Sequence, residues 1–150
     1  MKKLRVLLAD QHPPLLHHLN ALLSDDFCIV GTVSDGKALL ATALELKPEV
    51  IISDIDMPIM NGLEAVRQLK ALLPNCKVIF LTNHKEHEYV TAAFSVGASA
   101  FLCKVGHRDL RGRIRAVVRD LQTAPASWYA RHSLFGFRKD KWMSNEKGVA

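Results

Sequence analysis

Five residues carry most of the chemistry this chain can offer. Asp54 and Asp56 stand one residue apart in "IISDIDMPIMNG", Asp10 follows "VLLA", Thr82 closes "VIFLT" and Lys104 closes "AFLCK". A carboxylate can act as a nucleophile toward a phosphoryl group and become an aspartyl phosphate. The transferred group carries spread negative charge, so it needs a cation and fixed donors more than an acid or a base. A hard cation such as Mg²⁺ takes carboxylate, phosphate and water oxygens in octahedral geometry. A lysine offers a point charge to a phosphate oxygen, and a threonine hydroxyl one more hydrogen bond. In such a scheme Asp54 is the nucleophile, Asp10 lies near the metal, and Lys104 and Thr82 take the phosphoryl oxygens. One polar residue at a strand end would only cap the next helix. Two acids, a hydroxyl and a lysine at four such ends fit a small anion-and-metal site.

Those ends require a particular scaffold. Short apolar runs at residues 4–9, 27–33, 50–53, 78–81 and 100–103 read as buried strands. Between them lie segments of helical period: Leu15, Leu19, Leu22 and Leu23; Leu39, Leu40, Ala43 and Leu44; Leu63, Val66, Leu69, Leu72 and Leu73; Val90, Ala93 and Phe94; Leu110, Ile114, Val117, Val118 and Leu121. Breakers separate them at Pro13-Pro14, Asp35-Gly36, Pro48, Asn61-Gly62, Pro74-Asn75 and Gly97. The alternation predicts an α/β fold, a parallel sheet with helices on both faces. Ligands of such folds bind beyond the carboxyl ends of the strands, where the strand order reverses. Asp10, Asp54, Thr82 and Lys104 share that edge.

Composition sets the outer limits. With 150 residues, 49% hydrophobic and 23% charged, the chain suits one globular domain. No apolar run approaches the ~20 residues of a membrane span. The basic-then-apolar start "MKKLRVLLAD" is too short for a signal peptide, lacks a small-residue cleavage site, and reads as a first strand in a cytoplasmic protein. Cys28, Cys76 and Cys103 are odd in number, widely spaced and without metal-ligand spacing, so they read as reduced structural thiols. The net charge of +5 draws on Arg108, Arg111, Arg113, Arg115, Arg119 and the tail. Arg111, Arg115 and Arg119 recur every four residues opposite an apolar stripe, either as a solvated face or as one that meets an acidic partner.

"VLLADQH", "IISDIDMPIMNG", "VIFLT" and "GASAFLCK", in this order and spacing, resemble the CheY-like receiver domain of two-component response regulators. "PNCKVIFLTNH" is most similar to receivers of the NarL/LuxR type. The resemblance covers about residues 3–121. It implies a doubly wound five-stranded sheet of strand order 2-1-3-4-5, with residues 1–121 as the receiver. It further implies that Asp54 accepts a phosphoryl group from a sensor histidine kinase or phosphotransfer protein. Asp10 and Asp54 would hold Mg²⁺ with the backbone carbonyl of Asp56. Thr82 would move toward the phosphoryl group, Phe101 would turn inward as the switch aromatic, and Lys104 would pair with the phosphoryl oxygens. Met57-Pro58 and Gly62 would shape the loop at the metal. The output is a population shift of the face built from the fourth helix, fifth strand and fifth helix, with a homodimer on phosphorylation. Such a chain is a signalling acceptor rather than an enzyme.

Four residues depart from the family pattern. Receivers usually carry two adjacent acids after the first strand, and here the pair is Asp10-Gln11, so a neutral carbonyl stands where a metal-ligating carboxylate is usual. Asp56 either restores that charge with its side chain or is an exposed loop acid. Asn83 and His84 are larger than the small residue usual after the threonine and would obstruct an attacking water. Val105 replaces a common proline, as in many NarL-type members. Residues 122–150 are too few for the helix-turn-helix domain that usually follows, so DNA would be reached only through a domain absent from this chain. The tail holds Trp128, Tyr129, Phe135, Phe137 and Trp142 among basic residues, a pattern that suits docking on the receiver, a second protomer or a partner, or nucleic acid.

Two other functions remain in view. "DIDMP" is similar to the nucleophile motif of haloacid-dehalogenase-type phosphatases, with Asp54 as nucleophile and Asp56 as acid/base. That motif ends a first strand, and here it ends the third. Alternatively, Gln11 marks a degenerate receiver that binds partners constitutively.

Overall fold

The computed structural model describes residues 2–84, 86–104 and 109–123. Val105, Arg108 and the tail aromatics from Trp128 to Trp142 lie outside the described residues. Strands and helices alternate throughout: β1 (Arg5–Ala9), α1 (Pro13–Leu23), β2 (Cys28–Val33), α2 (Gly36–Leu46), β3 (Val50–Ser53), α3 (Gly62–Leu72), β4 (Lys77–Thr82), α4 (His87–Ser95), β5 (Ala100–Cys103) and α5 (Leu110–Thr123). All strand pairs are parallel, in the order β2-β1-β3-β4-β5. The predicted runs match these strands to within one residue at each end, and α5 runs past residue 121 to Thr123.

The strands are apolar on both faces because both are covered. Leu7, Ile51, Val78, Phe80 and Phe101 point to one side and pack with Leu39, Ala43, Val66, Leu69, Val90 and Phe94 of α2, α3 and α4. Val6, Leu8, Ile52, Ile79, Leu81 and Leu102 point to the other and pack with Leu16, Leu19, Leu23, Ile114, Val117 and Leu121 of α1 and α5. Cys28 is the exception to the apolar reading. It lies on the edge strand β2 and is exposed, while Cys76 and Cys103 are buried and no disulfide links the three. Burial pushes the Cys76 thiol up to about 11, so it stays protonated.

Helix starts are set by local chemistry. The Asp35 carboxylate accepts from the Ala38 amide at 2.7 Å to cap α2, and the Asn61 side chain accepts from the Glu64 amide at 2.9 Å to cap α3. Two glycines admit close backbone contact. A Cβ on Gly62 would lie 2.1 Å from the Asp54 carbonyl oxygen, and one on Gly36 would lie 1.9 Å from the Met60 carbonyl oxygen. Both obstacles are main chain and cannot rotate away. Gly62→Ala is therefore expected to cost about 1–3 kcal/mol in urea denaturation and to slow any reaction at Asp54. Unchanged stability would mean that the β3–α3 loop yields freely.

Candidate functional site

Thr82 is the last residue of β4, and the other three strand-end residues are positioned by the sheet's own hydrogen bonds, which run one residue past the strands. The Asp10 amide donates to Val33 O at 3.1 Å, the Asp54 amide to Ala9 O at 2.9 Å, and the Lys104 amide to Thr82 O at 2.9 Å. Ala9 pairs with Ser53, so Asp10 and Asp54 leave adjacent strands side by side. Both carboxylates are buried, at 2% and 4% exposure. Such burial needs a counter-charge, and Lys104 reaches across to supply it. Its Nζ donates to Asp10 Oδ2 at 2.5 Å and to Asp54 Oδ2 at 2.7 Å. Burial lowers the lysine's pKa, but hydrogen bonds to Asp10 and Asp54 and their charges more than offset it, so the ammonium is held above the ordinary range. The Asp54 Oδ1 accepts from the Ile55 amide at 2.7 Å. Both oxygens of Asp54 are thus anchored, and the carboxylate has one orientation.

Thr82 is fully buried at the end of β4, and its Oγ1 accepts from the His84 amide at 3.3 Å. Phe101 is buried at 1% exposure in the cluster that also holds Phe80 and Phe94. The Asp56 carboxylate turns elsewhere. Its Oδ2 lies 2.5 Å from His84 Nε2, and its side chain is 57% exposed. The His84 ring stacks on Tyr89 of α4, with ring centroids 3.8 Å apart and 10° between planes. So Asp56, His84 and Tyr89 tie the β3–α3 loop to the start of α4. The sequence reading treated His84 only as a bulky neighbour of Thr82. A contact across 28 residues leaves no local signal.

The acid pair also draws in a residue that the sequence reading missed. The His12 amide donates to Asp10 Oδ1 at 2.9 Å, and His12 Nδ1 lies 2.9 Å from the same oxygen. This is an aspartate bonding its own backbone two residues on, and Asp-Gln-His-Pro before a helix was the available signal. Asp10, His12 and Asp54 each offer a ligand atom, all within 4.8 Å of one another. Two buried carboxylates suit a hard divalent ion. Asp56 is not in that group, and Gln11 is exposed. With its carboxylate on His84, Asp56 is poorly placed to make up for Gln11. Asp56→Asn is therefore expected to leave Mg²⁺ affinity unchanged in calorimetric titration. Gln11→Asp should tighten it by ~1–2 kcal/mol, by adding one ligand charge in a water-screened site. No change in the second would place residue 11 outside the metal shell.

The arginine stripe of α5 is not simply solvated. Arg111 Nε donates to Asp26 Oδ2 at 2.7 Å, and Arg115 Nε lies 3.5 Å from Asp26 Oδ1. Arg113 Nη1 donates to Cys103 O at 3.4 Å. The Arg111 hydrogen bond, its charge and that of Arg115 lower the pKa of Asp26 despite some desolvation. A groove of about 760 Å³ opens at the opposite, amino-terminal edge of the sheet, between Leu4, Pro48, Leu72, Pro74 and Leu121. It lies away from the acid pair. Chemistry belongs at the carboxyl edge, where the buried charges converge.

The chain is similar to known proteins. The response regulator receiver domain family matches residues 6–115. The transcriptional regulatory protein YxjL of Bacillus subtilis is 34% identical over 120 residues, covering 78% of this chain and 55% of that protein. The response regulator protein VraR of Staphylococcus aureus is 34% identical over 119 residues, covering 77% of this chain and 57% of that protein. The chain thus spans about half the length of these curated relatives. Among solved structures, the signal receiver domain of NarL from Mycobacterium tuberculosis superposes with a TM-score of 0.74 at 27% identity, over 83% of this chain and 100% of that one. A LuxR-family DNA-binding response regulator from Staphylococcus aureus gives 0.70 at 27% identity, over 76% and 98%. Among the described residues no helix is long and apolar enough to cross a membrane. With strand order 2-1-3-4-5 and the acid pair at the carboxyl edge, the chain belongs to the response regulator receiver domain family, and its relatives are of the LuxR/NarL type.

Proposed function

We propose that Asp54 is the phosphoacceptor of a two-component signalling protein and takes its phosphoryl group from a histidine kinase or phosphotransfer protein. The observation that carries this is the pair of buried carboxylates bridged by Lys104, with both Asp54 oxygens fixed before any donor arrives. An Asp54 oxygen attacks phosphorus in line as the bond to the donor's imidazole nitrogen breaks, and the electron pair leaves with that nitrogen. Lys104 loosens its hold on Asp54 and meets the phosphoryl oxygens. Thr82 exchanges the His84 amide for the phosphoryl group as the partner of its hydroxyl. Mg²⁺, when bound, neutralises the charge spread over the transferred group. Asp10 and Asp54 are the carboxylates that would hold it, with the Asp56 carbonyl; Gln11 is a neutral neighbour.

The fold supports a readout through α4. Thr82 and His84 lie at the head of the segment that leads into α4, and the Asp56–His84–Tyr89 contact ties that segment to the β3–α3 loop. Movement of Thr82 therefore shifts the α4–β5–α5 face, which in turn meets a partner or a second copy of the chain. The names of the relatives support a role within a transcriptional regulator, with DNA bound by a domain outside this chain.

The test is mass spectrometry of the chain incubated with Mg²⁺ and acetyl phosphate or a phosphorylated kinase. A gain of one phosphoryl group is expected. No gain with either donor would favour a receiver that binds constitutively, and sustained turnover of a phosphate ester would favour a phosphatase.

A further inference from the structure

His12 takes no part in the phosphoryl-transfer scheme above, yet its ring offers a ligand atom in the same group as Asp10 and Asp54. Its geometry is set from both sides. Its amide is held by Asp10 Oδ1, and Pro13 and Pro14 fix the backbone immediately after it as the first residues of α1. His12 is the N-cap of that helix, but its side chain makes no capping hydrogen bond. The side chain is 60% exposed, so apolar packing does not hold the ring where it is. What it meets is the Asp10 carboxylate, with Nδ1 2.9 Å from Oδ1.

The two carboxylates divide their oxygens. Lys104 occupies Oδ2 of both Asp10 and Asp54, and Asp10 Oδ1 is the oxygen on the His12 side. Two ligands at right angles on an ion, with bonds of ~2.1 Å, lie ~3 Å apart. The Nδ1–Oδ1 separation therefore has the spacing of neighbours in one coordination shell. We propose that His12 is a nitrogen ligand of the divalent-ion site, in place of the acid that Gln11 does not supply, and that the site prefers a late first-row ion such as Co²⁺ or Zn²⁺ to Mg²⁺. The inference rests on the metal-assisted phosphoacceptor reading and specifies its ion.

The selectivity follows from ligand type. With Lys104 counted, Asp10 and Asp54 leave a formal charge of about −1 for the incoming ion. Mg²⁺ is held almost wholly by charge and oxygen and keeps several waters. An imidazole adds little to Mg²⁺, but it binds late first-row ions well, in the order of the Irving–Williams series. The missing carboxylate thus costs Mg²⁺ more than it costs Co²⁺ or Zn²⁺. The competing arrangement puts the ring behind Asp10, hydrogen-bonded to it and off the ion.

Calorimetric titration of the full chain with Co²⁺ and with Mg²⁺, joined to proton NMR of the Co²⁺ form, separates these. Removing even an outer partner of a metal ligand typically costs 10–100-fold in affinity, so His12→Gln is expected to weaken Co²⁺ at least about tenfold. It should weaken Mg²⁺ far less than Co²⁺ and remove a paramagnetically shifted imidazole resonance. The substitution is on an exposed residue, and denaturation of the variant checks its fold. Equal losses for both ions in the variant, or a Co²⁺ loss in the variant when the wild type shows no shifted imidazole, would place the ring behind Asp10 and overturn the proposal. Loss of both ions in Asp10→Asn, with His12→Gln without effect, would leave the carboxylate site standing and remove only the imidazole. Binding indifferent to both substitutions would overturn the site reading itself.

Discussion

Asp54→Asn is expected to end phosphoryl uptake, with a drop of at least about 10³-fold in mass gain per unit time from either a small donor or a kinase. The amide keeps the shape of the side chain, and its oxygen can still accept from the Ile55 amide, the bond that holds Asp54 Oδ1. What it loses is the anionic nucleophile. The nearby acids are already engaged: Asp10 by Lys104 and His12, and Asp56 by His84. The folded state should survive, because Lys104 still pairs with Asp10. Retained uptake in the variant, mapped to Asp10 or Asp56, would move the acceptor to that residue.

Lys104→Met is expected to act mainly on stability. It leaves Asp10 and Asp54 buried side by side with no cation between them, and removing one partner of a buried charge set costs ~3–5 kcal/mol. The lysine lies at the sheet's edge with its side chain 10% exposed, where water softens the penalty, so about 3 kcal/mol is expected at pH 7. The pH dependence has a definite sign. The folded-state pKa of Lys104 is raised by its two aspartates. Its stabilising contribution is therefore complete below the ordinary lysine value of ~10.4 and fades only as the pH rises through the higher folded value. Urea denaturation at pH 7 sees all of it. The variant forfeits that contribution. Saturating Mg²⁺ should also restore part of it, because an ion that binds only the folded state stabilises by mass action. Equal stability of variant and wild type at pH 7 would mean that the pair is solvated well enough to need no counter-ion.

Much of this site was legible because it hangs on the backbone ladder. Asp10, Asp54, Thr82 and Lys104 each end an apolar run, and a parallel sheet sends all such ends to one edge. The split of Val6 and Leu8 from Leu7 and Ala9 into two cores also follows from period-2 alternation under helices on both faces. The illegible parts are side-chain pairings across long sequence distances. Asp56 on His84, and Arg111 and Arg115 on Asp26, join residues that no periodicity relates. Cys28 misled for another reason: an edge strand can be as apolar in type as a central one yet remain exposed. The ring of His12 lies between these cases, local in sequence but visible only once the turn at Asp10 is recognised.

The two glycines that admit the β3–α3 loop also make the surroundings of Asp54 mechanically uneven. Gly62 leaves no room between α3 and the Asp54 carbonyl, and Gly36 leaves none between α2 and the Met60 carbonyl. On that side main chain bears on main chain, and the contact is stiff. On the other side the loop meets the next segment through the side chains of Asp56, His84 and Tyr89, which can rotate. Added bulk or charge at Asp54 thus has one compliant direction in which to relax, toward α4. Filling either glycine would displace main chain on the stiff side and change the direction in which Asp54 can relax.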